Sequence, residues 1–225
     1  MIKKNILLFL MLSLFALCVK AQHVTYSPFA HYTEKVDEFE KMRDIGSHDI
    51  VMLGNSITEY AGDWNVLLHR KNIRNRGIAG DDAMGIYHRL CQILPGKPAK
   101  IFLMVGINDV SHNLSISDVA SLCEKVINKI HTDCPETKLY VQSILPINED
   151  FGVWKKLEGK TNNIHFINAR IKRYCRINGI TYIDVYSRMT RRGTNQLRRE
   201  LSVDGLHLSP QGYKIWAFEL KRYLK

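Results

Sequence analysis

The stretch Asp49-Ile-Val-Met-Leu-Gly54 carries four consecutive apolar residues and ends at a glycine. An apolar run without polar alternation is typical of a strand in a parallel sheet that is buried on both faces. The strongest of the later runs is residues 100–105, which ends at Gly106. The full set of further strand candidates is residues 72–76, 100–105, 138–143 and 180–184.

Helical patterns fill the intervals around these strand candidates. Their predicted positions are residues 36–45, 82–90 with Asp82 as N-cap, 117–130 with Ser117 as N-cap, 162–178, and a last helix from Pro210 behind Ser209. Alternation of apolar strands with helices indicates a parallel sheet that is covered on both faces. With right-handed crossovers, the sequence predicts an α/β fold, a three-layer α/β/α sandwich around five parallel strands.

The composition excludes several classes of protein. The chain has 225 residues, of which 45% are hydrophobic and 24% charged, so it is too apolar for a disordered protein. Six prolines and 14 glycines exclude a collagen-like or low-complexity chain. No linker divides the sequence, and we expect one domain over residues 22–225.

Residues 1–21 have the features of a cleaved secretory signal peptide. Lys3 and Lys4 precede an apolar run over residues 6–19, which is shorter than the roughly 20 residues that span a bilayer. Small side chains then stand at a signal peptidase site that ends at Ala21. We therefore expect export, to a periplasm or the exterior; a retained N-terminal anchor is the alternative.

The formal net charge is +10, and part of the excess lies in one C-terminal stretch. Such a stretch can steer anionic substrates or touch lipid head groups, but it is more often a solvated face. No interleaved aromatic residues accompany it, so a nucleic-acid partner is not expected. The basic residues concerned are Arg188, Arg191, Arg192, Arg198 and Arg199.

The predicted mature chain keeps four cysteines, Cys91, Cys123, Cys134 and Cys175. Their spacing matches no metal site and contains no CxxC pair. Export permits disulfides, so buried thiols and a single bridge are both open.

Polar residues that a simple turn does not require gather where the predicted strands end. In a parallel sheet these loops share one edge, where ligands usually bind. The four segments are Gly54-Asn-Ser-Ile-Thr58, Arg76-Gly-Ile-Ala-Gly-Asp-Asp82, Gly106-Ile-Asn-Asp109 and Asp204-Gly-Leu-His207.

Three of these residues have the chemistry of a nucleophile and its base. Ser56 lies between a strand end and a helix start, which presents its hydroxyl at the sheet edge; a plain N-cap is the alternative. His207 has a suitable basicity to take a hydroxyl proton, and Asp204 can fix its tautomer across a tight turn. A surface histidine near an aspartate is the structural alternative for this pair.

Two further residues can donate hydrogen bonds to a developing oxyanion. Gly80 can allow a backbone N–H to approach a ligand closely, although this segment taken alone favours a flexible turn. The side-chain amide of Asn108 is an uncharged donor, and an Asx turn is its alternative. Asp81 and Asp82 resemble metal ligands but have no partner cluster, so we expect helix capping and no metal.

Taken together, the four segments resemble the SGNH (GDSL) hydrolases. Residues 54–58 resemble block I of that family, and Gly80 stands where its block II glycine belongs. Residues 106–109 match the GxND pattern of block III, and residues 204–207 match the DxxH of block V. The resemblance covers the chain from about residue 48 to its C-terminus.

The resemblance implies a flavodoxin-like sheet of strand order 2-1-3-4-5 and hydrolysis of ester bonds without a cofactor. It implies Ser56 as nucleophile, His207 as general base and then acid, and Asp204 as the residue that orients His207. It also implies an oxyanion hole made by the N–H groups of Ser56 and Gly80 and the amide of Asn108.

The sequence departs from the family pattern in block I. Asn55 replaces the usual aspartate and Ile57 the usual leucine, which removes a charge beside the nucleophile. Thr58 stands where GxSxG would need glycine, which argues against an ordinary α/β-hydrolase.

The sequence is similar to the branch that holds platelet-activating-factor acetylhydrolase-like proteins and bacterial sialate or other carbohydrate O-acetylesterases. We therefore expect a serine esterase that removes short acyl groups, acetyl above all, from a small-molecule or glycan ester. A lysophospholipase or thioesterase of the same fold is the alternative, and a glycan-binding module with a dead site is a third reading. The candidate substrate contacts are Asn55, Trp64, Phe151 and Trp154.

Overall fold

A computed structural model describes residues 26–225, so the predicted signal peptide at residues 1–21 lies outside the described residues. The described chain contains a five-stranded sheet in which every pairing is parallel, in the order β2-β1-β3-β4-β5. This confirms the predicted sheet and its strand order. The strands are β1 Ile50–Gly54, β2 Ile73–Gly77, β3 Lys100–Leu103, β4 Lys138–Gln142 and β5 Thr181–Ile183.

The register places the ends of the central strands side by side. Gly54 of β1 pairs with Gly77 of β2, and Leu53 pairs with Leu103 of β3. Strand β3 is two residues shorter than predicted, although Met104 still donates a backbone hydrogen bond to Leu53. The loops after β1, β2 and β3 therefore start at nearly the same level of one sheet edge.

Helices cover both faces of the sheet and form a three-layer α/β/α sandwich. They are α1 Ala30–Lys41, α2 Ser56–Glu59, α3 Trp64–Leu68, α4 Ala83–Arg89, α5 Ile107–Ser111, α6 Ile116–Asp133, α7 Thr161–Ile177, α8 Tyr186–Met189 and α9 Pro210–Lys221. In one layer α6 packs against both α4 and α7, and in the other α3 packs against α9. No helix within residues 26–225 has the length and apolar character needed to cross a membrane.

The helix boundaries correct some predictions and confirm others. Ser115, and not Ser117, caps α6, because its hydroxyl accepts from the N–H of Asp118 at 3.1 Å in a Ser-x-x-Asp capping arrangement. Helix α1 spans residues 30–41 instead of 36–45. The caps predicted for α4 and α9 are present, with Asp82 and Ser209 each accepting from a backbone N–H.

All four cysteines of the described chain are free thiols. Cys123, Cys134 and Cys175 are buried, and Cys91 is exposed. Of the two alternatives left by the sequence, the structure therefore has thiols and no disulfide.

Trp64 corrects the expectation that it contacts substrate. It is only 1% exposed, and its ring packs edge-on against Trp216 with 4.9 Å between centroids. Its indole N–H donates to the carbonyl of Thr58 at 3.1 Å. The short helix α3 turns this side chain inward, so Trp64 belongs to the core beneath α2.

Replacing Trp64 with alanine should lower the free energy of unfolding by about 3–5 kcal/mol, because it leaves a large cavity beside Trp216. Urea denaturation of the two proteins measures this difference. Val66→Ala is the matched control, since Val66 lies on the same helix but is 69% exposed, and its loss should cost less than about 0.5 kcal/mol. A Trp64→Ala protein as stable as the parent would contradict this assignment.

Candidate active site

The end of β1 presents Ser56 as the first residue of α2. Asn55 is the N-cap of that helix, and its side-chain oxygen accepts from the N–H of Ile57 at 3.1 Å. Asn55 is 1% exposed, which corrects its prediction as a substrate contact: its carbonyl shapes the turn that carries the serine. The aspartate of the usual pattern could make the same bond, so the charge is not needed for the cap.

The turn before α9 brings His207 and Asp204 to Ser56. The Nε2 atom of His207 lies 3.0 Å from Ser56 Oγ, and its Nδ1 lies 2.7 Å from Asp204 Oδ2. The other Asp204 oxygen accepts from the backbone N–H groups of Leu206 and His207, at 2.9 and 2.7 Å. Burial alone would raise the pKa of Asp204, but these hydrogen bonds outweigh it and hold that pKa below its usual value.

Gly205 makes this turn possible. Its φ is +93°, a left-handed conformation, and a Cβ there would collide with the carbonyl oxygen of Asn148. Ser202 closes the turn from below, because its hydroxyl accepts from the N–H of Gly205 at 2.8 Å and donates to the carbonyl of His207 at 2.7 Å. The imidazole and its carboxylate therefore stand on a backbone that is fixed at both ends.

Gly80 lies in a tight turn after β2. The N–H of Asp81 donates to the carbonyl of Ile78 at 3.1 Å, and Gly80 occupies the third position with φ +85°, as a type II turn requires. Gly80 is exposed, and no acceptor within residues 26–225 pairs with its backbone N–H or with that of Ser56. Both groups are thus available to a ligand.

Asn108 lies on α5, after β3, beside the Gly80 turn. Its side-chain nitrogen donates to the carbonyl of Asp81 at 2.7 Å. This bond uses one of the two amide hydrogens and leaves the second free. The structure thus places Asn108 next to the turn that carries Gly80.

The two aspartates that follow Gly80 have structural partners. Asp82 caps α4 through the N–H of Gly85, as predicted. Asp81 is buried and pairs with Arg89 at 2.8 Å, and Arg89 also donates to the carbonyl of Gly54 at 2.9 Å. No group of three or more metal-ligating side chains occurs within the described residues. The ion pair ties the turn after β2 to the end of β1.

Two exposed aromatic rings flank His207. The centroid of Trp154 lies 5.2 Å from that of His207 in an edge-on arrangement, and the Tyr60 centroid lies at the same distance, 5.2 Å, in a tilted one. Trp154 is a substrate contact predicted from the sequence, whereas Tyr60 is not, although Tyr60 follows Ser56 by one helical turn. Phe151 lies under the guanidinium of Arg199, 4.3 Å from its ring centre, and beside Gly205, where it supports the His207 turn.

A cavity of about 150 Å³ opens beside the Trp154 ring. Asn148, Leu157 and Gly205 are among its lining residues, so it borders the turn that holds His207. Its polar walls are largely engaged within the protein, as when Asn148 donates to the carbonyl of Leu197 at 2.8 Å. Neither Ser56 nor His207 lines this cavity, so it lies beside the site and not in it.

A sequence model of the GDSL-like lipase/acylhydrolase family matches residues 52–215, which include every residue of the candidate site. The chain belongs to this family. It is therefore a hydrolase of carboxylic esters, and the resemblance seen in the four sequence segments is confirmed.

Solved structures of GDSL proteins share the fold. A protein from Streptococcus pneumoniae, provisionally described as a platelet activating factor, is 27% identical with a TM-score of 0.75, over 86% of this chain and 91% of that one. A GDSL-like lipase from Bacteroides thetaiotaomicron is 22% identical with a TM-score of 0.75, over 87% and 98%. An acetyl xylan esterase is 19% identical with a TM-score of 0.65, over 79% and 100%. A search of curated proteins finds no match.

Asp109, next to Asn108, is a buried acid without a cationic partner in the described chain. It is 1% exposed, and its two oxygens accept from the N–H of Ala83 at 3.1 and 3.3 Å. Burial, together with the nearby carboxylates of Asp82 and Asp81, raises the pKa of Asp109 to about 7. The folded protein therefore holds the proton of this carboxyl over a pH range in which the unfolded chain releases it.

Asp109→Asn should stabilise the protein more at pH 8 than at pH 5. Because the folded pKa of Asp109 lies above the unfolded one, its ionisation lowers stability as pH rises from about 4 to about 7. Asparagine does not titrate, and its oxygen can still accept from Ala83. Thermal unfolding at the two pH values measures the effect, with the exposed Asp44→Asn as control. An equal change in Tm at both pH values would contradict the assignment.

Proposed function

We propose that this hydrolase is a serine esterase that removes short acyl groups, chiefly acetyl, from carbohydrates. The observation that carries the proposal is the continuous hydrogen-bonded line from Ser56 through His207 to Asp204, with links of 3.0 and 2.7 Å. A serine hydroxyl on an imidazole that a carboxylate orients is the arrangement of an activated nucleophile.

In the first step, Ser56 Oγ attacks the ester carbonyl while His207 Nε2 takes its proton. The ionised Asp204 holds the Nδ1 proton in place and stabilises the imidazolium that forms. The bond from the carbonyl carbon to the alkoxy oxygen then breaks, and His207 returns its proton to the departing alcohol. The acyl group remains on Ser56.

The negative charge on the tetrahedral oxygen requires donors that are already in place. The N–H groups of Ser56 and Gly80 have no acceptor within residues 26–225, and Asn108 has one amide hydrogen free of its bond to Asp81. Three uncharged donors from the ends of β1, β2 and β3 can thus meet at this oxygen. Water activated by His207 then attacks the acyl-enzyme and releases the acid, which restores Ser56.

The surroundings of His207 favour a sugar as the alcohol part of the ester, and the preference for acetyl rests on the resemblance to O-acetylesterases. Tyr60 is 56% exposed and Trp154 is 40% exposed, so each offers a ring face on which a pyranose can pack. The acetyl xylan esterase of similar fold agrees with this choice, as does the export predicted from residues 1–21.

Ser56→Ala should abolish hydrolysis of p-nitrophenyl acetate and labelling by a fluorophosphonate probe, because no acyl-enzyme can form. Steady-state kinetics and the probe measure this, with Ser111→Ala as a control serine. The Ser111 hydroxyl donates to the backbone carbonyl of Asn108 and has no histidine partner within residues 26–225. Wild-type activity in the Ser56→Ala protein would disprove the nucleophile.

Trp154→Ala should raise KM for an acetylated xylo-oligosaccharide and leave KM for p-nitrophenyl acetate nearly unchanged, because only the sugar packs on the ring. Phe166→Ala is the aromatic control, since Phe166 is 56% exposed on α7.

A series of p-nitrophenyl esters should show activity falling from acetyl to decanoyl. A preference for decanoyl, or for acyl lipids in the same panel, would favour the lysophospholipase alternative instead.

A further inference from the structure

We propose that Glu59 is a positioning residue for the oxyanion hole, and that it fixes the Gly80 N–H relative to Ser56. This inference rests on the proposed function, because it concerns donors that act in the proposed reaction. It does not concern binding of the substrate in its ground state.

Glu59 is the last residue of α2, the one-turn helix that begins at Ser56. Its Oε2 accepts a hydrogen bond of 2.5 Å from the backbone N–H of Ala79, the residue directly before Gly80. The carbonyl of Glu59 also accepts from the side-chain amide of Asn75, on β2, at 3.1 Å. One residue thus ties the nucleophile's helix to the strand and the turn that carry the second donor.

A close backbone approach makes this contact possible. Gly77, the last residue of β2, lies against α2, and a Cβ there would collide with the backbone of Glu59. Since both glycine and helix are held at this distance, the Glu59 side chain needs only to extend along the turn to reach Ala79. The contact is part of how β1 and β2 end together.

The opposite side of the Gly80 turn is tied in the same way. Asn108 donates to the carbonyl of Asp81, the residue directly after Gly80, at 2.7 Å. The three candidate donors are therefore joined in one series: Ser56 to Ala79 through Glu59, and Gly80 to Asn108 through Asp81. The first link is made by a residue that no step of the proposed reaction uses.

Helix α1 supports the Glu59 carboxylate from outside the family-matched segment, residues 52–215. The Nε2 atom of His31 lies 3.2 and 3.1 Å from the two Glu59 oxygens. Phe29 places its ring against Gly80, with a ring carbon 3.0 Å from the position that a Cβ would take. The chain before β1 thus closes over the Gly80 turn and keeps the carboxylate aimed at Ala79.

A tether of this kind affects the transition state more than the bound substrate. Donors stabilise an oxyanion strongly only when they are oriented before the charge develops. If the Ala79 link is lost, the Gly80 N–H must be ordered during the reaction, while the neutral ester binds much as before. The expected signature is a lower kcat with little change in KM.

Comparing Glu59→Asp with Glu59→Gln distinguishes the effect of side-chain length from the effect of side-chain charge. Aspartate keeps the charge but is one methylene too short to hold Ala79, so kcat for p-nitrophenyl acetate should fall on the order of 10-fold, less than the ~10²–10³ that losing a whole donor costs. Glutamine keeps the length and an acceptor oxygen, so it should retain most of the wild-type kcat. Glu34→Ala, exposed on α1, is the control.

The inhibition constant of a trifluoromethyl ketone, which forms a tetrahedral adduct with serine, is the second measurement. It should rise in Glu59→Asp by the same factor as kcat falls, while Tm should fall by only a few degrees, as expected for the loss of one hydrogen bond. Wild-type kcat in Glu59→Asp, a change confined to KM, or equal damage in Glu59→Gln would overturn the inference. If the wild-type protein shows no Ser56-dependent ester hydrolysis, the proposed function itself has failed.

Discussion

The contact between Ser56 Oγ and His207 Nε2 joins residues 151 positions apart, and the rest of the site depends on it. It forms only because the first strand and the turn before the last helix end at the same edge of the sheet. Each partner is also fixed locally: Asn55 caps the helix that carries the serine, and Asp204 accepts from both the backbone and the ring of His207. Because both partners are already ordered locally, little conformational entropy is lost when these distant segments meet.

A buried ion pair, in addition to backbone hydrogen bonds, holds the loops that carry the proposed donors. Arg89 is 2% exposed and bonds to both Asp81 and the carbonyl of Gly54, so one guanidinium joins the ends of β1 and β2. Burying this pair is expensive, and the cost is offset only when both partners remain in place. The same turn carries Gly80. The buried ion pair therefore lies directly beneath the proposed donors, which are themselves uncharged.

Local chemistry explains which parts of the site the sequence could predict. Asp204 and His207 lie three residues apart, and Asn108 directly follows a strand and its glycine, so short-range pattern and strand order suffice to bring them together. The predicted substrate contacts of Trp64 and Asn55 are wrong, because a position near Ser56 in the sequence does not determine which way a side chain points. The sequence does not predict the roles of Tyr60 and Glu59, because their partners, His207 and Ala79, lie in other segments of the chain.

The residue pattern by itself determined the parallel sheet and the segments that lie at its edge, and the resemblance to the SGNH hydrolases added the strand order. Apolar runs, capping residues and glycines at strand ends act over a few positions, so a single sequence displays them directly. Only the tertiary structure decided which aromatic rings face His207, that the four cysteines of residues 26–225 stay unbridged, and that Phe29, just before α1, lies against the Gly80 turn. Those outcomes depend on packing between segments far apart in the chain, where side-chain direction and the close approach of backbones are set by the whole fold.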